Sequence, residues 1–257
     1  MANTTQHRLE RVSEIQNALC YYSPTLLASN SASYYDTLVR ELPWSAGTVL
    51  VRGQRFQERR LTCLFSTTPM SDYHYSGKVM QAHAWHPLLD NIRQQVTDIC
   101  RRDYPEWQPG WQFDTALCNW YRPKSLLQEI ARQRAEEQSS ENDTEVPAKI
   151  EWKGDSISWH SDSERDLVQD RPIASVTLCH TDGVRRFDLR CNTEEIGVHY
   201  IPPIQHGTYQ VFLQPGSLFV MGRDTQRYYM HSVPEQRKVE GGRVNITFRQ
   251  TKQHNKN

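Results

Sequence analysis

The sequence predicts a mainly β domain with flanking helices (α+β), and three observations support this prediction. The 257 residues are an ordinary length for one domain, and 37% of them are hydrophobic, enough for a sizeable core. Helical periodicity is found in the first half of the chain. In the second half, short strand-like runs separated by turn residues recur at 157–160, 172–178, 186–190, 197–201, 208–213, 217–222 and 243–249. Such a series of short strands is typical of a sandwich, a jelly roll or a barrel.

Three helices are predicted before these strands. Residues 9–20 carry apolar side chains at helical spacing. A second helix over 31–42 would end near Pro43, because the residue before a proline avoids helical geometry. The third helix, over 86–102, has Pro87 in its first turn, where the missing N–H is not needed.

Three other stretches have weaker patterns. Residues 48–79 are predicted to form short strands and turns, with 48–51 as one strand. Residues 123–152 open with a helical segment and then become polar and acidic, and the part from 139 to 146 has no core-forming pattern, which predicts a mobile loop. The polar end, 250–257, is expected to fray.

Composition and charge exclude several classes of protein. With 30 Lys+Arg against 30 Asp+Glu the formal net charge is zero, which argues against binding of nucleic acid through bulk charge. A local basic face is still compatible with phosphate contact, and the basic residues of 49–60 are Arg52, Arg55, Arg59 and Arg60. The chain has no long apolar run and no secretory signal core, so we expect an intracellular protein, in the nucleus or cytoplasm, without a membrane span.

The cysteines are expected to be reduced thiols. They are Cys20, Cys63, Cys100, Cys118, Cys179 and Cys191, and none forms a C-x-x-C pair. A zinc site built from Cys179, His180, Cys191 and His199 is conceivable, but its spacing matches no common zinc motif.

The first chemical signal is the segment Trp159-His160-Ser161-Asp162. Residues two apart in a strand point to the same face, so His160 and Asp162 could converge on one point. Two histidines and one carboxylate form the facial triad of non-haem Fe(II) oxygenases, which leaves coordination positions open. His231 is the best candidate for the third ligand. Taken alone, H-x-D also occurs by chance, as a surface histidine beside a turn aspartate.

The second signal is the stretch 243–249, whose apolar residues alternate with Arg243, Asn245, Thr247 and Arg249. An amphipathic strand with its polar face in water is one interpretation. Two fixed guanidiniums with an amide and a hydroxyl between them also suit a dicarboxylate, because guanidinium binds carboxylate through paired, directional hydrogen bonds. The metal motif shortly upstream favours the second interpretation.

With these motifs the sequence resembles the AlkB family of Fe(II)/2-oxoglutarate dioxygenases, particularly its eukaryotic DNA-repair branch, from about Pro43 to Arg249. The matching motifs, in the family's order, are Leu117-Cys118-Asn119-Trp120-Tyr121, His160-Ser161-Asp162, Pro172-Ile173-Ala174-Ser175-Val176, His231-Ser232-Val233-Pro234 and the R-x-N-x-T-F-R signature at 243–249. The resemblance implies a double-stranded β-helix (jelly roll) core with N-terminal helices and nucleotide-recognition strands.

The resemblance also implies roles for single residues, with O2 as a further cosubstrate. The ligands of Fe(II) would be His160, Asp162 and His231. The residues that bind 2-oxoglutarate would be Asn119, Tyr121, Arg243, Asn245, Thr247 and Arg249. Within this set, Arg243 would pair with the far carboxylate and Arg249 would lie near the carboxylate at the iron end. Taken alone, Asn119 and Tyr121 are better explained as a turn asparagine and a core tyrosine.

Substrate residues follow from the same resemblance. The family's substrate base leaves its stack and enters a pocket beside the iron. The segment at 72–77 matches a family motif, which implies that Tyr75 stacks on the flipped base opposite His160, with Tyr73 nearby. Glu164 matches an acidic residue that would face the base's exocyclic amino group and favour a positively charged base. Without the resemblance, these tyrosines are ordinary strand aromatics and Glu164 a solvated acid.

The implied function is oxidative demethylation of 1-methyladenine and 3-methylcytosine in DNA or RNA, with release of formaldehyde, by a monomer. We expect one domain over 1–257, with a helical extension (1–42), a substrate-recognition region with a packing helix (43–116) and a catalytic core (117–249) that carries an insertion (123–152). The alternatives are an AlkB-like enzyme that acts on RNA modifications, protein or lipid, and a jelly-roll binding module without catalysis.

Two departures from the family bear on substrate choice. The insertion separates Tyr121 and His160 more widely than in the repair branch. An inert loop is its simplest interpretation, and a segment beside the active-site entrance that affects substrate choice is the alternative. Some duplex-repair relatives carry an aromatic wedge near residue 52, whereas here the first aromatic residue is Phe56. This difference argues against duplex repair and leaves single-stranded DNA or RNA open as the substrate.

Overall fold

The structure is a computed structural model that describes residues 7–13, 15, 19–51, 54–67, 73–75, 78–142, 144–147, 149–192 and 207–252. Its strands are β1 (Glu10–Arg11), β2 (Cys20–Ser23), β3 (Ser45–Val51), β4 (Gln54–Ser66), β5 (Tyr73–Tyr75), β6 (Lys78–Met80), β7 (Ala82–His83), β8 (Thr115–Tyr121), β9 (Ile157–His160), β10 (Ile173–Cys179), β11 (Arg185–Cys191), β12 (Thr208–Leu213), β13 (Leu218–Met221), β14 (Tyr229–Val233) and β15 (Arg243–Arg249). Its α-helices are α1 (Ser31–Glu41), α2 (Pro87–Asp103), α3 (Lys124–Asn142) and α4 (Thr225–Tyr228).

Two sheets dominate the described part of the chain. The larger has nine strands, in the order β1-β2-β13-β10-β15-β8-β4-β3, with β7 beside β4. The smaller has the order β12-β11-β14-β9. Residues of both sheets, such as Leu117 and Leu189, share one buried cluster. A second cluster joins the opposite face of the larger sheet to α1 and α2. The predicted fold class, a jelly roll with flanking helices, is thereby confirmed.

The helices predicted over 31–42 and 86–102 are confirmed as α1 and α2. Pro87 opens α2, and the ring Nδ1 of His86 accepts a hydrogen bond from the backbone N–H of Leu88, which satisfies one of the free donors at a helix start. Ile92 and Val96, one turn apart, are fully buried in the cluster that joins α2 to the larger sheet. The helix α2 thus covers the outer face of the larger sheet. The inner face of that sheet is turned towards the smaller sheet, and the site lies between the two.

The helix predicted over 9–20 is wrong. The structure has β1 and β2 here, and β2 places Cys20 opposite Met221 on β13. Without β2, the backbone of β13 would be an unpaired edge of the sheet, so strand pairing outweighs the helical spacing of the apolar residues. The described residues before α1 therefore include a sheet edge where a first helix was predicted.

The strands predicted in the second half are confirmed to within one residue at each end, except 197–201, which lies outside the described residues. The prediction of short strands over 48–79 is wrong for β4, which has 13 residues. The start of β4 pairs with β3 and its end with β8. This length lets one strand connect the hairpin to the centre of the larger sheet.

The insertion is more ordered than predicted. The helix α3 continues to Asn142, so a mobile loop is wrong for 139–142. Ser139 is 7% exposed, and its carbonyl accepts the N–H of Thr144 at 2.9 Å. The polar side chains of α3 do not prevent a helix because they are good helix formers and lie largely in solvent.

The prediction of a frayed end is wrong for Gln250–Lys252. Thr251 bridges to Leu167 and donates from its backbone N–H and its hydroxyl to Oδ1 of Asp114. Residues 253–257 lie outside the described part. All six cysteines are free thiols, as predicted. Among the described residues, no helix has both the length and the apolarity needed to cross a membrane.

Candidate active site

The predicted metal triad converges on the inner face of the smaller sheet. His160 on β9 lies opposite His231 on β14, and their rings are 4.2 Å apart between centroids. Asp162 Oδ1 is 3.7 Å from Nε2 of His160 and 3.9 Å from Nε2 of His231. Within the described residues, this cluster is the group of three whose donor atoms, all within 4.8 Å of one another, could hold a metal ion.

Both histidines are in the neutral form that binds metals. The pKa of His231 is lowered to about 3 by burial, and burial also lowers the pKa of His160. Nδ1 of His160 donates to the carbonyl oxygen of Ser158 at 2.8 Å. Because a carbonyl only accepts, this bond leaves the lone pair of His160 on Nε2, which faces Asp162.

Asp162 is a buried carboxylate held in its ionised form. Burial acts to raise its pKa, but opposing interactions, of which the charge of the Arg249 guanidinium is the largest, keep the pKa below its usual range. Arg249 Nη2 donates to Oδ2 at 2.9 Å. The backbone N–H of Asp162 donates to Gln226 Oε1 on α4 at 2.8 Å. Oδ2 is thus held by the guanidinium while Oδ1 lies near both histidines.

Arg243 is a buried guanidinium with an unused N–H. Its Nε and Nη2 lie 3.3 and 3.0 Å from Thr177 Oγ1, and its side chain lies 5.3 Å from the centre of the Tyr121 ring. Its Nη1 is buried without a hydrogen-bond partner among the described residues. Arg185, buried 5.7 Å from the same ring, adds a second positive charge. Buried guanidiniums of this kind are suited to a carboxylate ligand.

Asn245 and Thr247 are held by their neighbours. Nδ2 of Asn245 donates to Ser175 Oγ at 2.7 Å and to the carbonyl oxygen of Val176 at 3.1 Å. The hydroxyl of Thr247 donates to Oδ1 of Asn245 at 3.3 Å. Both side chains therefore brace the polar face of β15 between the arginines at its two ends.

Arg60 belongs to the site, although no motif marked it. Its Nε donates to Asn119 Oδ1 at 2.7 Å, and its Nη2 lies 3.2 Å from Oε1 of Glu58. With Oδ1 engaged, the amide nitrogen is the end of Asn119 left for a ligand. Because its side chain is buried, Arg60 does not contribute to the basic face considered for residues 49–60. Arg60 lies in β4, two residues before Thr62, which pairs with Asn119 of β8. A single sequence does not show this register between the two strands.

One cavity joins these groups. Every residue predicted for the metal and the cosubstrate lines it, namely Asn119, Tyr121, His160, Asp162, His231, Arg243, Asn245, Thr247 and Arg249. Leu117 and Phe187, from the two sheets, form part of its apolar wall. The cavity lies between the sheets, with neutral imidazoles and a carboxylate on one side and guanidiniums on the other.

The predicted substrate residues are less fully described. The backbone of Tyr73 and Tyr75 lies in β5, which pairs with β6, and their side chains lie outside the described part. Burial raises the pKa of Glu164 to about 7, an effect that Arg249 opposes. Oε2 of Glu164 is buried without a hydrogen-bond partner among the described residues. A buried oxygen of this kind can accept a hydrogen bond from a ligand.

The family profile described as the 2OG-Fe(II) oxygenase superfamily matches residues 18–249. The chain belongs to this superfamily. Its members use Fe(II), 2-oxoglutarate and O2, and the donor set of the cavity fits that requirement, with two neutral imidazoles and one carboxylate for the metal. The unused N–H of Arg243 fits a carboxylate of the cosubstrate.

Curated relatives support the AlkB resemblance. This 2OG-Fe(II) oxygenase is 27% identical to alpha-ketoglutarate-dependent dioxygenase alkB homolog 3 of Bos taurus, over 84% of this chain and 60% of the relative. It is 26% identical to DNA oxidative demethylase ALKBH2 of Arabidopsis thaliana, and also to the human alkB homolog 3, over 90% of this chain and 65% of each relative. The chain thus spans less than two thirds of the length of these relatives.

A solved structure supports the fold. The 2OG-Fe(II) oxygenase family oxidoreductase from Burkholderia pseudomallei superposes with a TM-score of 0.50 at 9% identity. The match covers 89% of this chain and 84% of the other. At this identity the likeness concerns the architecture alone.

Proposed function

We propose that this chain is an oxidative demethylase of N-alkylated bases, 1-methyladenine and 3-methylcytosine, in DNA or RNA. The cavity that joins the His-Asp-His cluster to the buried Arg243 guanidinium, whose Nη1 has no partner among the described residues, carries this proposal, in a chain with a relative named DNA oxidative demethylase. In the reaction, 2-oxoglutarate and O2 give succinate and CO2, and the N-methyl group becomes N-hydroxymethyl. The hydroxyl group then loses its proton, the bond between the ring nitrogen and the hydroxymethyl carbon breaks, and formaldehyde leaves. The ring nitrogen keeps the electron pair of that bond, which regenerates the neutral, unmethylated base.

His160, Asp162 and His231 would hold the metal. Bound Fe(II), together with 2-oxoglutarate and O2, supplies the oxidation of the methyl C–H bond. The protein holds the two histidines on paired strands, with Asp162 two residues beyond the end of β9, and keeps both imidazoles neutral through burial. Arg249 keeps the carboxylate of Asp162 ionised in a site where burial alone would favour its protonated form.

Arg243 would bind the far carboxylate of 2-oxoglutarate through its unused N–H, and Asn119 would donate from the amide nitrogen that Arg60 leaves free. Arg249 would lie near the carboxylate at the metal end. These donors replace the hydration that a carboxylate loses when it enters a buried cavity. Asn245 and Thr247 would support both guanidiniums through the bonds that they make within the sheet.

Tyr75, Tyr73 and Glu164 would bind the substrate base. Glu164 follows Asp162 by two residues, and its buried Oε2 is available to accept a bond from an exocyclic amino group. As partner we propose nucleic acid, bound by a monomer in the nucleus or cytoplasm. Single-stranded substrate is favoured because residues 51–54 contain no aromatic wedge.

A substrate panel tests the proposal. Purified protein with Fe(II), ascorbate and 2-oxoglutarate would be offered 1-methyladenine and 3-methylcytosine in single-stranded DNA, duplex DNA and RNA. Mass spectrometry would follow the loss of the methyl group. We expect loss from at least one single-stranded form, and none in an Arg243→Ala variant. Consumption of 2-oxoglutarate without demethylation would contradict the proposed substrates and favour a dioxygenase that acts on another substrate. If neither 2-oxoglutarate nor the methylated base reacts, a binding module is favoured.

A further inference from the structure

A second groove, of about 600 Å³, lies between α3, the β3–β4 hairpin and residues 149–155. Apolar side chains of α3, such as Leu127 and Ile130, form one wall, and Trp152 forms part of another. The proposed reaction does not use this groove. Two of its walls belong to the insertion that distinguishes this chain from the repair branch.

Two ion-pair clusters fix the frame of the groove. Arg122 donates from Nε and Nη2 to the two carboxylate oxygens of Asp155, at 2.9 and 2.8 Å, and the Asp155 side chain is 1% exposed. Glu235 accepts from Arg59 at 2.9 Å and from the backbone N–H of Gly154 at 3.0 Å. These bonds connect the hairpin to the residues that follow the insertion. The other cations that line the groove take no part in them.

Three of the cations that line the groove have no ion-pair or hydrogen-bond partner among the described residues. Arg134, Lys149 and Lys153 are exposed and line the groove, and none makes a salt bridge or hydrogen bond within the described part of the chain. Two of the three acidic residues in the lining are already paired, Asp155 with Arg122 and Glu58 with Arg60. The groove therefore presents excess positive charge beside an apolar and aromatic wall.

We propose that this groove binds the single strand of nucleic acid that flanks the target base, with phosphates on the three cations and a base against Trp152. Bases are accessible to an aromatic side chain only where they are unpaired, so charge beside an aromatic wall favours a single strand over a duplex. This inference rests on the proposed nucleic-acid function.

The groove adjoins the active site along two chain segments. Arg122, in the groove, directly follows Tyr121, which lines the active-site cavity. Asp155, in the groove, precedes Ile157, which lines the same cavity, by two residues. In extended chain, two residues span about 7 Å. The groove and the active-site cavity are thus lined from adjoining positions of the same two chain segments.

Salt-dependent binding tests the inference. Fluorescence anisotropy would measure the Kd of a labelled single strand of about 15 nucleotides, long enough to fill such a groove. The triple variant Arg134→Gln/Lys149→Gln/Lys153→Gln removes three contacts, so the slope of log Kd against log salt should fall by about 2. At low salt its Kd should rise about tenfold or more. Arg134→Gln should weaken binding, whereas Arg132→Gln, two residues away and paired with Glu129 and Glu136, should not.

A short substrate separates this inference from the proposed function. Demethylation of a methylated trinucleotide by the triple variant should equal that of the parent chain, and Trp152→Leu should weaken binding of the long strand at high salt. If the parent chain is active and the triple variant has the same Kd and salt slope, the groove does not bind the flanking strand, and the proposed demethylase function is unaffected. Displacement of the strand by polyglutamate as readily as by oligothymidine would assign the groove to acidic peptides. A parent that neither binds nor demethylates any strand would overturn both proposals.

Discussion

Arg249 Nη2 donates to Asp162 Oδ2 across 2.9 Å, and both side chains are 3% exposed. The last residue of β15 thus reaches across the cavity to the carboxylate that lies beside two histidines. A buried carboxylate without this partner would lose its strongest stabilising charge. The metal motif and the arginine strand are therefore one structure, joined by this ion pair.

Replacing Arg249 with leucine should weaken metal binding. The carboxylate of Asp162 would lose the bond that orients it, and loss of such a partner typically lowers metal affinity roughly 10- to 100-fold. Competition with a fluorescent chelator would measure the affinity. Arg186→Leu is the matched control, since Arg186 pairs with Asp188 at 2.9 Å and lines no part of the cavity. Equal affinities in the parent and the Arg249 variant would contradict the orienting role.

Arg60→Ala should raise the KM for 2-oxoglutarate about tenfold, with a smaller effect on kcat. Without Arg60, the amide of Asn119 can turn its carbonyl towards the cavity, and a hydrogen bond to a charged ligand is worth about 1.5–3 kcal/mol. Turnover without nucleic acid isolates this effect. Arg59→Ala, on the opposite face of β4, should leave KM unchanged. The same KM in both variants would show that Arg60 has no positioning role.

Two glycines of positive φ should respond differently to alanine. At Gly110 (φ +84°) no atom lies within 4 Å of the position that an added Cβ would take, so Gly110→Ala should cost only the backbone term, about 1–2 kcal/mol. At Gly216 (φ +76°) the Cβ would lie 2.3 Å from the backbone carbon of Leu27. Gly216→Ala should therefore lower the free energy of unfolding by clearly more than Gly110→Ala does. Urea unfolding measures both, and equal losses would contradict the described contact of this turn with Leu27.

Thiol labelling should distinguish Cys191 from the other cysteines. Burial raises the pKa of Cys20 to about 12 and that of Cys179 to about 11. Only the thiolate reacts, so at pH 8 its fraction at Cys20 is about 10⁻⁴. Cys191 is half-buried, whereas the other five are buried. Native protein should therefore label first at Cys191 and faster as pH rises. Rapid labelling of Cys20 at pH 8 would contradict the burial of this residue where β2 pairs with β13 in the larger sheet.

The features that sequence could predict are those set by short-range pattern. Alternation in 243–249 placed Arg243 and Arg249 on one face. The H-x-D spacing predicted that His160 and Asp162 converge, which they do, although β9 ends at His160. Long-range pairing decided what the pattern could not. The apolar spacing of 9–20 fits a helix as well as the strand that pairs with β13, and only the sheet edge distinguishes them. Arg60 looked like surface charge because its neighbour Asn119 is distant in sequence.

The coupling of succinate to formaldehyde tests the proposed chemistry most directly. With Fe(II), 2-oxoglutarate and a single strand that contains 3-methylcytosine, the parent chain should form both products in nearly equal amounts. Removal of the metal with a chelator, or His231→Ala, should abolish both together. Formaldehyde that continues to form without the metal, or in the His231 variant, would contradict the assigned site. A metal-loaded parent that consumes no 2-oxoglutarate would contradict the proposed enzyme itself.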